Sequence, residues 1–381
     1  MGHSENAAIE RGVNRVTSTR RTEICLAGRP IEPVKIAPGM SVETLVECYR
    51  GMGYNARRLA EACDTFQMMI EEDATICLTL SGAMTPVGMS GVLMALMEAG
   101  FIDWMASTGA NLYHDLHRTF DLPMVQGHFD ADDNALGRAG IARIYDVFIH
   151  DEKTLIATDE IVRNVFERRR LPGPFSTAAI HHALGEQIRK MAPHPEKSFL
   201  AAAAGFDIPI YVPAHADSSL GMNLALNYIR GFPVEPTPSL DILESAAIVA
   251  SGKKNGALEV GGGAPKNFFM QTQPMLWQIL DQNKGGHDFF IQLTDARPDT
   301  GGLSGATPSE AKSWGKLKDA VRNNVVVYGD ATVTLPVLAA WALARCPTRP
   351  HKRLYAKREK LTARMIDKFK RNEAALAKRG K

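Results

Sequence analysis

Long apolar runs are missing from this chain of 381 residues: none approaches the roughly 18 consecutive positions that a membrane-spanning helix requires. Met1 to Arg21 is polar and lacks the apolar centre of a secretion signal, so a soluble, cytoplasmic protein is expected. Cysteine is scarce. Its five copies, Cys25, Cys48, Cys63, Cys77 and Cys346, form no CxxC pair, which excludes a zinc ribbon and a disulfide framework and fits a reducing compartment. Internal repeats, low-complexity tracts and Gly/Ser/Pro-rich linkers are absent too, so nothing divides the chain into separate modules. Net charge is almost lacking, at +2.

That balance hides an asymmetry. From Pro347 to Lys381 stand 13 Lys/Arg against 3 Asp/Glu, which leaves 31 against 39 in the body. Leu354, Leu361, Met365, Phe369 and Leu376 recur at helical spacing in this tail, which predicts an amphipathic helix docked on the body or on a neighbouring subunit. An acidic body argues against nucleic acid as a partner and suits a polycationic ligand.

With 45% hydrophobic residues the chain can bury a large core. Ser41, followed by Glu43 and Thr44, predicts a capped helix, and Asn55 to Glu72 a second, which together make a helical preface. Apolar runs then alternate with helix-like segments: Thr75–Leu80, Ile102–Ala106, Ile208–Val212, Ala246–Ala250, Ala257–Val260, Phe289–Leu293 and Val325–Tyr328. The pattern predicts an α/β fold, Rossmann-like, with a mostly parallel sheet and helices on both faces. Asp151 to His194 reads as helical, with Ser176 as a cap, packed outside the sheet.

Polar and glycine-rich residues follow these runs: Ser81-Gly82, Ser107-Thr108-Gly109, Asp217, Gly261-Gly262-Gly263, Thr294 and Gly329-Asp330-Ala331. Ligands of open α/β sheets bind at the carboxyl ends of strands, so one dinucleotide could lie across these loops. Gly51-Met-Gly53-Tyr-Asn-Ala56 spells GxGxxA but follows a helix-like segment, and without a strand it is a decoy. Asp330 can cap the next helix or accept from a ribose hydroxyl, and the cap is the favoured reading. His114 and His117 share a helix face without a third ligand, and Asp130, Asp132 and Asn134 lack the glycine and closing acid of a calcium loop, so no metal is expected.

The segment Gly302-Leu-Ser-Gly-Ala-Thr-Pro-Ser-Glu-Ala-Lys-Ser-Trp-Gly-Lys316 carries more. A lone lysine is most often a solvated charge. Here flexible glycines approach it, Pro308-Ser309-Glu310 opens a helix, and Trp314 offers an aromatic face two residues away. Such a lysine can form an imine if burial lowers its pKa enough to free the amine.

This run resembles the catalytic-lysine segment of deoxyhypusine synthases. The resemblance extends from about Gly39 to Ala344 and includes Gly51–Ala56, Gly127–Phe129, Gly140–Ile144, Asp217–Gly221, Gly261–Gly263 with Lys266, and Val327–Ala331. It implies NAD-dependent oxidation of spermidine, uptake of the aminobutyl group on a lysine as an imine with release of diaminopropane, and transfer to an acceptor amine. Carried over by position, Lys316 is the imine lysine, with Asn267 and His114 as further catalytic positions. Gly82, Ala83, Pro86, Thr108, Gly109, Ala110, Asp217, Thr294, Asp299, Asp330 and Ala331 line NAD. Tyr113, Met222, Gly262, Gly301, Leu303, Glu310 and Trp314 belong to the substrate site.

Departures cluster at the substrate end. Asn267-Phe-Phe stands where the family has a pair of histidines, and an amide cannot shuttle a proton near neutral pH. His114 replaces an acidic residue, Met222 and Leu303 replace aspartates, and Ser81-Gly82-Ala83 replaces Thr-Ser-Asn. A free amine such as putrescine, giving homospermidine, is therefore the favoured acceptor. The alternatives are a protein lysine, as in hypusine formation, and a protein that binds NAD and polyamine without turnover. The resemblance also implies a homotetramer and an NAD-binding catalytic domain (39–346), which the polar N-terminal stretch leaves preceded by an arm (1–38) and the charge pattern followed by a basic helical tail (347–381).

Overall fold

The computed structural model describes residues 28–168, 173–319 and 323–379; Cys25 and the side chain of Leu376 lie outside them. Six strands form one parallel sheet: β1 (Thr75–Leu80), β2 (Trp104–Ser107), β6 (Ile210–Tyr211), β7 (Asn255–Val260), β8 (Phe289–Thr294) and β9 (Asn324–Tyr328). Their spatial order is β6-β2-β1-β7-β8-β9. Numbered along the chain these six read 3-2-1-4-5-6, the doubly wound order of dinucleotide-binding sheets, with its switch point between β1 and β7. Three further strands, β3 (Met124–Gln126), β4 (Ile141–Ile144) and β5 (Val147–His150), make a separate antiparallel sheet in the order β3-β5-β4.

Every residue of β1, β7 and β8 is buried, as a parallel sheet covered on both faces demands. Ile76, Leu78, Leu258, Val260, Ile291 and Leu293 enter one core cluster with Phe66, Leu93, Leu335 and Trp341 from the helices Tyr54–Glu71, Ser90–Glu98 and Ala331–Arg345. Cys77, Trp104, Tyr211, Ala257 and Phe290 enter the other, beneath the helices Pro238–Ser251, Gly263–Pro274 and Leu354–Arg379. Three polar residues interrupt this second face in one row, Thr79, Glu259 and Gln292, each paired with the next across adjacent strands.

Six of the seven expected strands occur. Ala246–Ala250 does not: it lies inside the helix Pro238–Ser251, which opens with Pro238 and carries Asp241 in its first turn. Asp241 and everything from Glu244 to Val249 are buried between the sheet and the tail helix. A helix covered on both sides loses its polar stripe and reads like a buried strand. The GxGxxA stretch joins two helices, Val42–Arg50 and Tyr54–Glu71, instead of following a strand. Ser41 and Ser176 cap helices through Thr44 N and Ala179 N.

The tail crosses the amino ends of β1 and β2 before its helix begins. Arg349 donates to Ala74 O and Gly100 O at 2.8–3.0 Å and to Asp103 Oδ2 at 3.2 Å. The helix Leu354–Arg379 then buries Leu354 and Met365 against Pro238–Ser251, with Leu361 and Phe369 beside them.

Candidate active site

Hydrogen bonds cross-brace the loops at the carboxyl edge of the sheet. Past β1, Asn111 acts as the knot: its Oδ1 accepts from Met84 N at 2.7 Å, and its Nδ2 donates to Thr108 Oγ1 at 2.9 Å and Gly82 O at 3.2 Å. Thr108 Oγ1 donates to Gly82 O at 2.6 Å, and Arg118 donates to Pro86 O at 2.6 Å. Gly109, first residue of the helix Gly109–Thr119, lies so close to Ser218 that a Cβ would collide with it. That contact sets the helix Ser219–Ile229, which carries the exposed Met222, against the helix Gly109–Thr119 just past the Asp217 loop.

Tyr113 and His114 share this region but turn inward. Tyr113 is buried and donates to Leu155 O while sharing a 2.9 Å hydrogen bond with Asp159 Oδ1. His114 Nδ1 lies 2.9 Å from His117 Nε2, and His117 Nδ1 lies 2.9 Å from Thr158 Oγ1. Burial pulls His114 down to about 4 and His117 down to about 3, so both imidazoles are neutral at physiological pH. Among the described residues no group of three or more His, Cys, Asp and Glu gathers as a metal would require.

Across the switch point, Ser81 donates to Gly262 O, tying β1 to the glycine turn after β7. Gly262 in turn abuts Ser304, whose Oγ accepts from Gly263 N at 2.9 Å. This contact carries the segment Gly301–Gly305 against the helix Gly263–Pro274. Gly329 N donates to Thr294 O at 2.9 Å, and the next residue, Asp330, caps the helix Ala331–Arg345 through Thr332 N at 2.7 Å. Asp299 is exposed and held by Arg297.

Here the structure gathers the lysine and its neighbours. A cavity of about 220 Å³ is lined by Lys316, Trp314, Leu303, Asn267, Lys266 and Phe290 among others. A wider trough of about 480 Å³ adjoins it, sharing Asn267 and Leu303. Lys316 is half-buried with Nζ 5.5 Å from the Trp314 ring centre, and desolvation pulls its pKa below the ordinary lysine range. The exposed Glu310 closes a capping box, its Oε2 accepting from Thr307 N at 2.6 Å, which fixes the start of the helix Pro308–Ser313 leading to Trp314. His114 does not reach this cavity.

Two residues there carried little signal in the sequence. Lys266 is buried, with Nζ donating to Ala306 O at 2.7 Å, Gln292 Oε1 at 2.9 Å and Ser304 O at 3.4 Å. Gln292 completes the brace by donating to Gly261 O and Ser304 O at 2.8 Å. A glutamine inside Phe289–Thr294, otherwise apolar except at its end, was the available clue. Since Ser304 serves Gly263, Gln292 and Lys266 together, Gly262→Ala should displace it, and transfer should fall by about 10²-fold with the protein still folded. Unchanged steady-state rates would show that the glycine is dispensable.

A profile of the family described as deoxyhypusine synthase matches residues 44–342. The chain belongs to the deoxyhypusine synthase family. It is 42% identical to a deoxyhypusine synthase-like protein of Thermosynechococcus vestitus over 88% of this chain and 86% of that one. It is 36% identical to "Probable deoxyhypusine synthase 1" of Methanosarcina acetivorans, over 84% and 96% of the two chains. The crystal structure of a deoxyhypusine synthase homologue from Entamoeba histolytica superposes with TM-score 0.57 at 17% identity, covering 84% of this chain and 99% of that chain, which supports the fold. Deoxyhypusine synthases use NAD to transfer the aminobutyl group of spermidine, and this chain is an aminobutyl transferase of that family.

The residues present fit NAD in this deoxyhypusine synthase fold. The 3-2-1-4-5-6 order opens its crevice between β1 and β7, where Gly82 and Gly261–Gly263 leave the backbone bare of side chains. Thr108, Asp217, Thr294 and Asp330 stand at the same edge, with Thr108 Oγ1, Thr294 Oγ1 and Asp330 Oδ1 engaged by Gly82 O, Ala296 N and Thr332 N and the Asp217 side chain exposed.

Proposed function

We propose that this protein is a homospermidine-forming aminobutyl transferase acting through an imine on Lys316. The observation that carries the reading is Lys316 itself, half-desolvated over Trp314 at the cavity that Asn267 and Lys266 also line. NAD, when bound at the β1/β7 crevice, supplies the two-electron acceptor that oxidises the donor amine and later returns the electrons.

Everything else falls to the chain. The Lys316 amine adds to the carbon of the oxidised donor, its Nζ forms the new C=N bond, the old C–N bond breaks, and 1,3-diaminopropane leaves with the nitrogen it already carried. The acceptor amine reverses this exchange and frees Lys316. Trp314 offers its ring to the passing ammonium, and Leu303 and Met270 wall the methylene chain. Asn267 holds an amine by hydrogen bonding but moves no proton.

A free amine as acceptor is supported by the departures at the substrate end, where Asn267 and Leu303 line the cavity in place of a family histidine and aspartate. A cytoplasmic location and a homotetramer with NAD touched by two subunits belong to the same reading. No described helix is long and apolar enough to cross a membrane.

The test is to incubate enzyme, NAD and spermidine labelled in its aminobutyl moiety with putrescine and a hypusine-precursor protein in competition. Label should appear in homospermidine. Label found only in the protein would make the acceptor a protein lysine, and no label in either, with NAD still bound, would mark a binding protein.

A further inference from the structure

Lys316 is held by the way the helix Pro308–Ser313 ends. Trp314 closes the helix and Gly315 follows in the left-handed region at φ +65°. Gly315 N donates to Lys312 O at 2.9 Å, and Lys316 N donates to Ala311 O at 3.0 Å. These are the two bonds of a Schellman ending, with Lys316 in the outer position that an apolar residue commonly fills. From the other side, His287 N donates to Lys316 O at 2.9 Å and Lys318 N donates to His287 O at 3.0 Å. The left-handed φ favours glycine at 315, and glycine brings the turn no side chain of its own to pack.

Trp277 supplies the missing contact. A Cβ built on Gly315 would lie 3.4 Å from Trp277 Nε1, 3.8 Å from Cε2 and 3.9 Å from Cδ1, so the pyrrole edge of the indole covers the bare glycine. The indole reaches it from an irregular piece of helix. Pro274 has no N–H to give Met270 O, and past it Met275–Ile279 widens into a single π turn, with Leu280 N donating to Met275 O at 3.1 Å. The side chains of this turn divide three ways: Leu276 is buried in the core, Met275, Gln278 and Ile279 line the trough of about 480 Å³, and Trp277 goes to Gly315. Trp277 lines neither the trough nor the lysine cavity, so it meets the turn and not the substrate. At 39% exposed it is too open to serve as a core anchor.

We propose that Trp277 is a positioning residue for the transfer reaction: seated on Gly315, it holds the turn at Lys316 still, so that the amine stays over Trp314 at the cavity. This role rests on Lys316 being the imine lysine. It gives the π turn a purpose, since the stretch that walls the trough also sets the nucleophile.

The experiment uses the full chain with NAD and labelled spermidine, and reads the rate of borohydride-trapped adduct on Lys316 as spermidine is varied. In Trp277→Ala the maximal rate should fall by about 10²-fold, the scale of a misplacement of about 1 Å, while half-saturation by spermidine and NAD affinity stay within about twofold. Trp277→Phe, which keeps an aromatic edge for the glycine, should recover most of the rate. Gly315→Ala strains the left-handed turn by itself; combined with Trp277→Ala it should cost less than the product of the two single losses, because both act on one contact. An unchanged maximal rate in Trp277→Ala, a loss confined to half-saturation, or a loss no larger than the fall in folded protein by circular dichroism would overturn the proposal. So would losses that multiply in the double variant, or no recovery in Trp277→Phe. Should Trp277→Ala fail to fold, Trp277→Leu takes its place, and a wild-type maximal rate there overturns the proposal equally. No adduct on Lys316 in the wild-type protein at any spermidine concentration would instead sink the imine mechanism itself.

Discussion

Replacing Lys316 with Ala is expected to reduce aminobutyl transfer by at least about 10³-fold while NAD affinity stays within about twofold. The split follows from where the side chain sits. Its Nζ lies in the cavity over Trp314, whereas its backbone is pinned elsewhere: Lys316 N donates to Ala311 O at 3.0 Å, and His287 N donates to Lys316 O at 2.9 Å. Truncation therefore removes the nucleophile and leaves the loop in place. The β1/β7 crevice, held by Asn111, Ser81 and Gly262, does not depend on it. Lys316→Arg makes the sharper comparison, since it keeps a cation against the indole but has no amine to form an imine. It should be as inactive as the alanine variant, with spermidine binding better preserved. Single-turnover oxidation of spermidine and equilibrium dialysis of NAD measure the two effects separately. Transfer surviving in both variants would remove this lysine from the chemistry.

Much of this arrangement was legible in the sequence because parallel strands announce themselves as short apolar runs followed by glycine and small polar residues. Thr75–Leu80 was readable to the residue, and Asn255–Val260 and Phe289–Thr294 nearly so. Two kinds of information were not available. Ala246–Ala250 looked like a strand because the helix holding it is buried on both sides, which erases the periodicity that separates the two states. The antiparallel strands Met124–Gln126, Ile141–Ile144 and Val147–His150 are three or four residues long, too short for alternation to stand out.

The site was legible as far as it follows strand ends and no further. Gly82, Thr108, Asp217, Gly262, Thr294 and Asp330 gather at one edge because the topology puts them there, and Trp314 and Lys316 because a capped helix delivers them. Side-chain direction is a tertiary property. Tyr113 spends its hydroxyl on Asp159 and Leu155, and His114 pairs with His117, facts that spacing on a helix could not disclose. Lys266 became prominent only when the glycine turn brought Ser304 and Ala306 over it.

The largest stability effect is expected far from this edge, at Arg349. Its guanidinium is almost wholly buried between Ala74 O, Gly100 O and Asp103, and Lys352 stands 3.7 Å from the same carboxylate. Asp103 is itself buried, and Ile76 N donates to it at 2.8 Å. Removing one member of such a pair leaves a charge without compensation, so Arg349→Met should cost about 3 kcal/mol, at the lower end for buried pairs because Lys352 remains. The pH dependence identifies the cause. Burial already raises the Asp103 pKa against the pull of Arg349 and Lys352, and without the guanidinium it must rise further above its unfolded value. The folded variant then binds a proton that the unfolded chain does not, so its deficit relative to wild type should shrink as pH falls from 7 toward 5. Adding Asp103→Asn should recover part of the loss at pH 7 and flatten that dependence. Activity per folded molecule should stay near wild type, because the clasp lies at the amino ends of the strands and the catalytic loops at their carboxyl ends. Urea unfolding at several pH values reads all of this; a deficit independent of pH, or one untouched by Asp103→Asn, would place the cost in lost packing and not in the stranded carboxylate.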